Sequence, residues 1–248
     1  MNRKCWFFAA ASVLAAALVL ASCGPSGRGA QGNAGTAEGK TGDKSGGANT
    51  PGDFGYVRGK GGVVIAYYTG TGTDVVIPDT IDGLPVVDMY TSAFKENPAI
   101  TSVTVPGTVK LIPGGAFSKC SGLVSVSLSG GTTEIGSGAF SGCTSLAAIV
   151  IPEGVTAIGG SAFEGCTSLA AVQLPESLTT LGASAFSGCV NLANLNVPAA
   201  LTGFPNLSSA YRYSYAFSGC YKIPLNVRDA LKSQGYKADL DDYGNYTW

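Results

Sequence analysis

Ala139 to Ser161 reads AFSGCTSLAAIVIPEGVTAIGGS, and it is one rung of a repeat. Phe94, Phe117, Phe140, Phe163 and Phe186 lie 23 residues apart, and Phe217 follows after 31, one period plus an eight-residue insertion. A fixed period of this length is the signature of a stacked solenoid rather than an ordinary globular core. Counting from Phe140, apolar or small residues stand at Cys143 (+3), Leu146 (+6), Ile149 (+9), Ile151 (+11), Val155 (+15) and Ile158 (+18), with Pro152 at +12 and Gly159 at +19. The next rung repeats them as Cys166, Leu169, Val172, Leu174, Leu178 and Leu181, with Pro175 and Gly182.

The +9/+11 alternation places those two side chains on one face of a short strand. Proline at +12 ends it, because it has no N–H to give to a ladder. The glycines are expected to supply turns. Each rung buries about seven side chains, each contributing roughly 1.5–3 kcal/mol. Ordering its residues costs on the order of 1–2 kcal/mol apiece. One rung alone is therefore unstable, and neighbours must cover its two open faces.

The pattern L-x-x-V-x-I-P-x-x-V-x-x-I-G-x-x-A-F-x-x-C, recurring over about Gly55 to Val227, resembles the 23-residue leucine-rich repeats of the BspA-like, or Treponema-type, class. That resemblance implies a right-handed coil with short parallel β-strands on one face, turns or 3-10 segments on the other, and a cap at each end. It also implies surface proteins that attach to host extracellular matrix or to other bacteria.

Ahead of the repeats, Arg3 and Lys4 precede an apolar run from Trp6 to Leu20, and Leu20-Ala21-Ser22-Cys23 follows. The run is short for a membrane span and ends in small residues, which favours a cleaved signal over an uncleaved anchor. The motif is similar to a bacterial lipobox. It implies removal of residues 1–22 and a lipid such as palmitate on Cys23, with Gly24 leaving export to the outer membrane open. Residues 23–53 read as the lipidated cysteine and a flexible tether: ten of the 30 residues after Cys23 are glycine, and no apolar periodicity runs through them. Such a coil spans about 30 Å. Residues 54–93 read as an N-terminal cap with a partial first rung, 94–224 as the repeats, and 225–248 as a C-terminal cap. In the caps, Val63–Tyr68 and Asp74–Ile77 are expected as strands, Asp82-Gly83-Leu84-Pro85 as a hairpin-like turn, and 226–234 as a helix stopped by Gly235.

Several residues carry candidate chemistry. Cys120, Cys143, Cys166, Cys189 and Cys220 share the period and invite a zinc or disulfide reading. Rungs stack about 4.8 Å apart, so four sulfurs spread over roughly 14 Å, whereas zinc needs each at about 2.3 Å. The same spacing exceeds the usual disulfide Cβ separation of about 3.8 Å. Structural, buried, free thiols are the expectation. The outward strand positions +8 and +10 carry Ser102/Thr104, Ser125/Ser127, Ala148/Val150, Ala171/Gln173 and Asn194/Asn196, a flat uncharged face that binds a partner or merely tolerates solvent. In the insertion, Tyr211, Arg212 and Tyr213 form the aromatic–arginine composition that binding surfaces favour, unless these tyrosines pack under their own loop. Asp239, Asp241 and Asp242 lack the glycine and distal glutamate of a calcium loop.

Composition excludes several functions. The chain has no histidine, so Ser-His and Cys-His nucleophile pairs and His-ligated metals are absent. Fifteen basic against 16 acidic residues, without a basic stripe, argue against nucleic acid. No enzyme activity, cofactor, metal or small-molecule substrate is expected. Two readings remain: an envelope protein displaying its repeats for adhesion or protein binding, with another protein or a matrix component as partner, or a periplasm-facing scaffold with no host partner.

Overall fold

The computed structural model describes residues 50–204 and 216–236, and the backbone of 239–240 and 246–247. The expected signal, Cys23 and most of the tether lie outside the described residues, as do Tyr211, Arg212 and Tyr213.

The first described element falls within the span expected as tether. Pro51–Asp53 is a 3-10 turn, closed by the Thr50 N–H donating to Asp53 Oδ2 at 2.7 Å. The N-terminal cap follows as strands β1 (Phe54–Gly59), β2 (Gly62–Tyr68), β3 (Asp74–Val76), β4 (Thr80–Ile81) and β5 (Leu84–Met89). Four of them form a sheet in the order β1-β2-β5-β4. Asp82 and Gly83, at φ 51° and 74°, make the two-residue turn between β4 and β5, the conformation a right-twisted hairpin favours. Asp82 also accepts from Tyr56 Oη (2.5 Å) and from Arg58 (2.8 Å), fastening β1 to that hairpin. The hydrogen bond from Tyr56, then that from Arg58, hold the Asp82 carboxyl below its usual range. β1 was not legible in advance, because its two glycines break the strand pattern.

The rungs follow. Their first strands are β6 (Ser102–Val105), β8 (Ser125–Leu128), β10 (Ala148–Val150), β12 (Ala171–Gln173) and β14 (Asn194–Leu195). They stack in parallel, β3-β6-β8 and β10-β12-β14, in a register offset by one repeat, except that β3 pairs with β6 one repeat plus five residues on, Asp74 opposite Ser102. The ladder is interrupted between β8 and β10, one strand after Ser129-Gly130-Gly131 takes the place of the usual proline turn. A second parallel ladder lies where turns or 3-10 segments were expected: β7 (Leu111–Ile112), β9 (Glu134–Ile135), β11 (Ala157–Ile158) and β13 (Thr180–Leu181). Thr133, Thr156 and Thr179 reinforce it, each hydroxyl donating to a backbone oxygen one rung back.

The core is a column of rings. The phenylalanines from Phe94 to Phe217 stack with centroids 4.8–5.5 Å apart and interplanar angles of 3–18°. Each Phe N–H from Phe94 to Phe186 donates to the alanine oxygen one residue before the next phenylalanine, at 2.7–2.9 Å. Phe54 and Tyr68 close the column at its N-terminal end. At the other end helix α1 (Leu225–Ser233) stops at Gly235, φ 95°, and the Tyr236 N–H reaches back to Leu231 O. Tyr236 then lies edge-on over Phe217, and its hydroxyl accepts the last Phe N–H of the column at 3.3 Å. The backbone of the tail adds β15 (Asp239–Leu240) and β16 (Tyr246–Thr247) as an antiparallel pair.

The glycines divide into two kinds. Those at +2 adopt left-handed backbone, as at Gly142 (φ 74°) and Gly165 (φ 69°), and serve as the expected turns. Those at +19 do not turn the chain. They let it pass against the rung before: a methyl added to Gly159 would sit 2.5 Å from Ser137 N.

Phe140→Ala should cost about 3–5 kcal/mol through the cavity it leaves in the column. Tyr236→Phe should cost about 1–3 kcal/mol by orphaning the Phe217 N–H. Urea unfolding followed by circular dichroism measures both.

Candidate interaction surface

Strand alternation turns +9 and +11 inward and leaves +8 and +10 facing solvent. The exposed rows run through six strands or their continuations, and Val150 is the most open apolar residue on them at 61% exposure. At the N-terminal end the face is polar: Asp74 Oδ1 accepts from the hydroxyls of Ser102 (2.7 Å) and Thr101 (3.2 Å). Toward the C-terminal end it becomes apolar, with Ala148, Val150 and Ala171. There α1 rises beside the strands and converts a flat face into an open groove of about 650 Å³, walled by Pro224, Asn226 and Val227. The helix was legible in the sequence. Its placement against strands up to 78 residues earlier was not, because no local pattern encodes it.

Asn196 stands on the expected exposed row and lines the groove, with its amide engaged by the backbone one rung back. Its Nδ2 donates to Leu174 O and its Oδ1 accepts the Leu174 N–H, both at 2.7 Å. The amide thus stands in for the strand that β14, ending at Leu195, no longer supplies. Both of its polar ends face the protein's own backbone. Gln173 and Asn194 remain as amides on the exposed rows.

Two exposed glutamates, Glu153 and Glu176, follow the strands of the groove floor by three residues, just past Pro152 and Pro175. Glu153 Oε1 accepts the Glu176 N–H (3.1 Å), and Glu176 Oε2 accepts the Ala199 N–H (3.4 Å), so each carboxylate caps the rung that follows it.

The five period-locked cysteines are fully buried and free. Each Sγ–H donates to the phenylalanine oxygen one rung back, at 3.0–3.2 Å, from Cys120 with Phe94 to Cys220 with Phe186. Burial raises the pKa of Cys120, Cys143 and Cys166, the last to about 12. For Cys189 the hydrogen bond with Cys220 is the larger cause, ahead of burial. Asn97, which takes the cysteine position in the first full rung, instead accepts the Ala99 N–H. Among the described residues no group of His, Cys, Asp or Glu is arranged to hold a metal ion.

Six copies of the BspA type leucine rich repeat region match residues 87–224. The chain belongs to the BspA-type leucine-rich repeat family. A leucine-rich repeat protein of Treponema pallidum, known from its crystal structure, is 31% identical, with a TM-score of 0.67 over 77% of this chain and 98% of that one. A leucine-rich cell surface protein of Faecalibacterium prausnitzii A2-165 is 27% identical over 73% of this chain and 54% of its own, at a TM-score of 0.49. A leucine-rich repeat protein of Eubacterium ventriosum shares the fold at 18% identity and a TM-score of 0.50, over 71% of this chain and 53% of that one. No curated protein matches the chain. In this BspA-type chain the periodic positions are spent on the core, and the rows between them face solvent.

The thiol column sets a pH dependence. The native thiols of Cys120, Cys143, Cys166 and Cys189 keep protons that the unfolded chain gives up above about pH 8.5, so the native state binds more protons and stability falls as pH rises. The stabilisation is complete below pH 8.5 and is lost progressively toward the native values, about 12 for Cys166. Between pH 8 and 10 the urea midpoint should fall, the strongly raised thiols Cys143, Cys166 and Cys189 each adding up to about 1.4 kcal/mol per pH unit. Cys166→Ala should make the fall shallower. A flat midpoint, with native thiols reacting freely with a disulfide reagent, would contradict the buried column.

Proposed function

We propose that this protein is a lipid-anchored component of the bacterial cell envelope whose repeat domain binds another protein, in adhesion to host matrix or to other cells. The observation that carries the interaction half is the open groove on the strand face, held on a scaffold stitched together from rung to rung. The anchor half is supported by the sequence alone: Arg3 and Lys4, the apolar run to Leu20 and the lipobox ending at Cys23. Acyl chains on Cys23 contribute about 0.8 kcal/mol per buried CH₂, and two or more of them give stable anchoring without a membrane-crossing helix. Among the described residues no helix is long and apolar enough to cross a membrane. The tether gives the domain reach beyond the lipid surface. Tyr211, Arg212 and Tyr213 form a second proposed contact surface, since aromatic and arginine side chains dominate binding hot spots. The proposal involves no catalysis, cofactor or nucleic acid.

Cys23→Ser should move the protein from the membrane pellet to the soluble fraction. Unchanged pelleting would remove the anchor from the account. A non-penetrating protease added to intact cells should destroy the repeat domain while a periplasmic control survives. Survival of the domain until the envelope is broken would turn the reading to a periplasm-facing scaffold. Tyr211→Ala with Tyr213→Ala should weaken partner binding, and unaltered affinity would exclude the insertion as a contact.

A further inference from the structure

From Cys120 to Tyr211 the chain carries four glutamates, Glu134, Glu153, Glu164 and Glu176, and not one lysine or arginine. Two of the four stand beside the groove. Glu153 and Glu176 follow the floor residues Val150 and Gln173 by three positions, so at about 3.3 Å per residue they stand within roughly 10 Å of them. They stack one above the other on successive rungs, where like charges repel. Their backbone hydrogen bonds fix one oxygen of each. Among the described residues neither carboxylate is paired with a cation.

The basic residues nearest the groove belong to the helical end. There Arg228 donates to Ile223 O and Tyr221 O, and Lys222 to Asn191 Oδ1. The residues lining the groove are uncharged, and two carboxylates stand three residues beyond its floor on successive rungs. That floor combines small apolar side chains, Ala148, Val150 and Ala171, with two outward amides, Gln173 and Asn194. An amide side chain offers both a donor and an acceptor to a peptide backbone. The groove's volume falls inside the range of roughly 300–1,000 Å³ usual for ligand clefts. It is open along its length, so a small molecule would stay largely in water, whereas a polypeptide segment is held by its neighbours as well. Nucleic acid is disfavoured by the same glutamates.

We propose, building on the protein-binding reading above, that the groove receives an extended segment of a partner protein. The segment's small apolar side chains rest on Ala148, Val150 and Ala171, and a lysine or arginine of it lies against Glu153 and Glu176. Charge at these two carboxylates selects the partner and speeds encounter, while the apolar floor supplies the burial.

Three synthetic peptide amides, KKVAVAV, EEVAVAV and KKGSGSG, titrated into the full-length protein at 50 mM salt, test this directly. KKVAVAV should bind at least tenfold tighter than either control and weaken at least fivefold at 0.5 M salt. Glu153→Lys combined with Glu176→Lys should reverse the preference toward EEVAVAV. Val150→Arg, at an exposed position the fold tolerates, should abolish binding with an unchanged circular dichroism spectrum. Equal affinity for all three peptides, no binding of any, or indifference to the charge reversal would overturn the proposal. A photo-crosslinking residue at Val150 and, separately, at Tyr221 on intact cells distinguishes this from the broader reading. A partner captured at Tyr221 alone overturns the groove and leaves protein binding standing. Capture at neither position counts against both.

Discussion

One backbone hydrogen bond, repeated every 23 residues, holds the molecule in register. The N–H of each phenylalanine is spent on the alanine oxygen of the next rung, and its C=O takes the thiol of the cysteine there and the N–H of its own rung's cysteine. A ring stacked at about 5 Å lies on each such junction. Burying a peptide group costs heavily unless both ends are satisfied, so a rung without neighbours would leave these groups orphaned as well as its apolar faces open. Cysteine suits its position for that reason. It is small, apolar enough for a dry interior, and still able to give one weak hydrogen bond to an oxygen.

A column of this kind needs two ends, and the caps are built to the same requirement. Phe54 and Tyr68 cover the first ring, and the β1–β2–β5–β4 sheet replaces a rung with a parallel pair, β2 with β5, flanked by two antiparallel ones. At the far end Tyr236 supplies both a ring and an oxygen, so that Phe217 meets the same environment its predecessors do. The helix that delivers Tyr236 also raises the wall of the groove. Stability at the cap and shape at the interaction surface therefore come from one element.

Much of this was legible in the chain. The phenylalanine ruler named the fold, and the +9/+11 alternation placed every first strand. Asp82-Gly83 announced its turn, and Gly235 the end of α1. What escaped notice is non-local. The second ladder consists of two-residue strands too short to show a period. Glycine at +19 answers to the approach of another rung, which no local propensity reports. Asn196 is a surface amide, as its row implies, and also substitutes for missing backbone. The groove exists only because α1 folds back beside β10, β12 and β14, and the two unpaired carboxylates beyond its floor emerge from a count of absent cations rather than from a motif. Cys23, Tyr211, Arg212 and Tyr213 lie outside the described residues and rest on the sequence.

The functional account depends on the scaffold being continuous, because a groove assembled from three rungs is only as fixed as the junctions between them. Residue-resolved amide hydrogen exchange at Phe94, Phe117, Phe140, Phe163 and Phe186 tests that continuity most directly. A single stitched column predicts that these five amides exchange slowly, within about a factor of ten of one another, through global opening. Fast exchange at these positions, or rates that step apart from rung to rung by orders of magnitude, would contradict it.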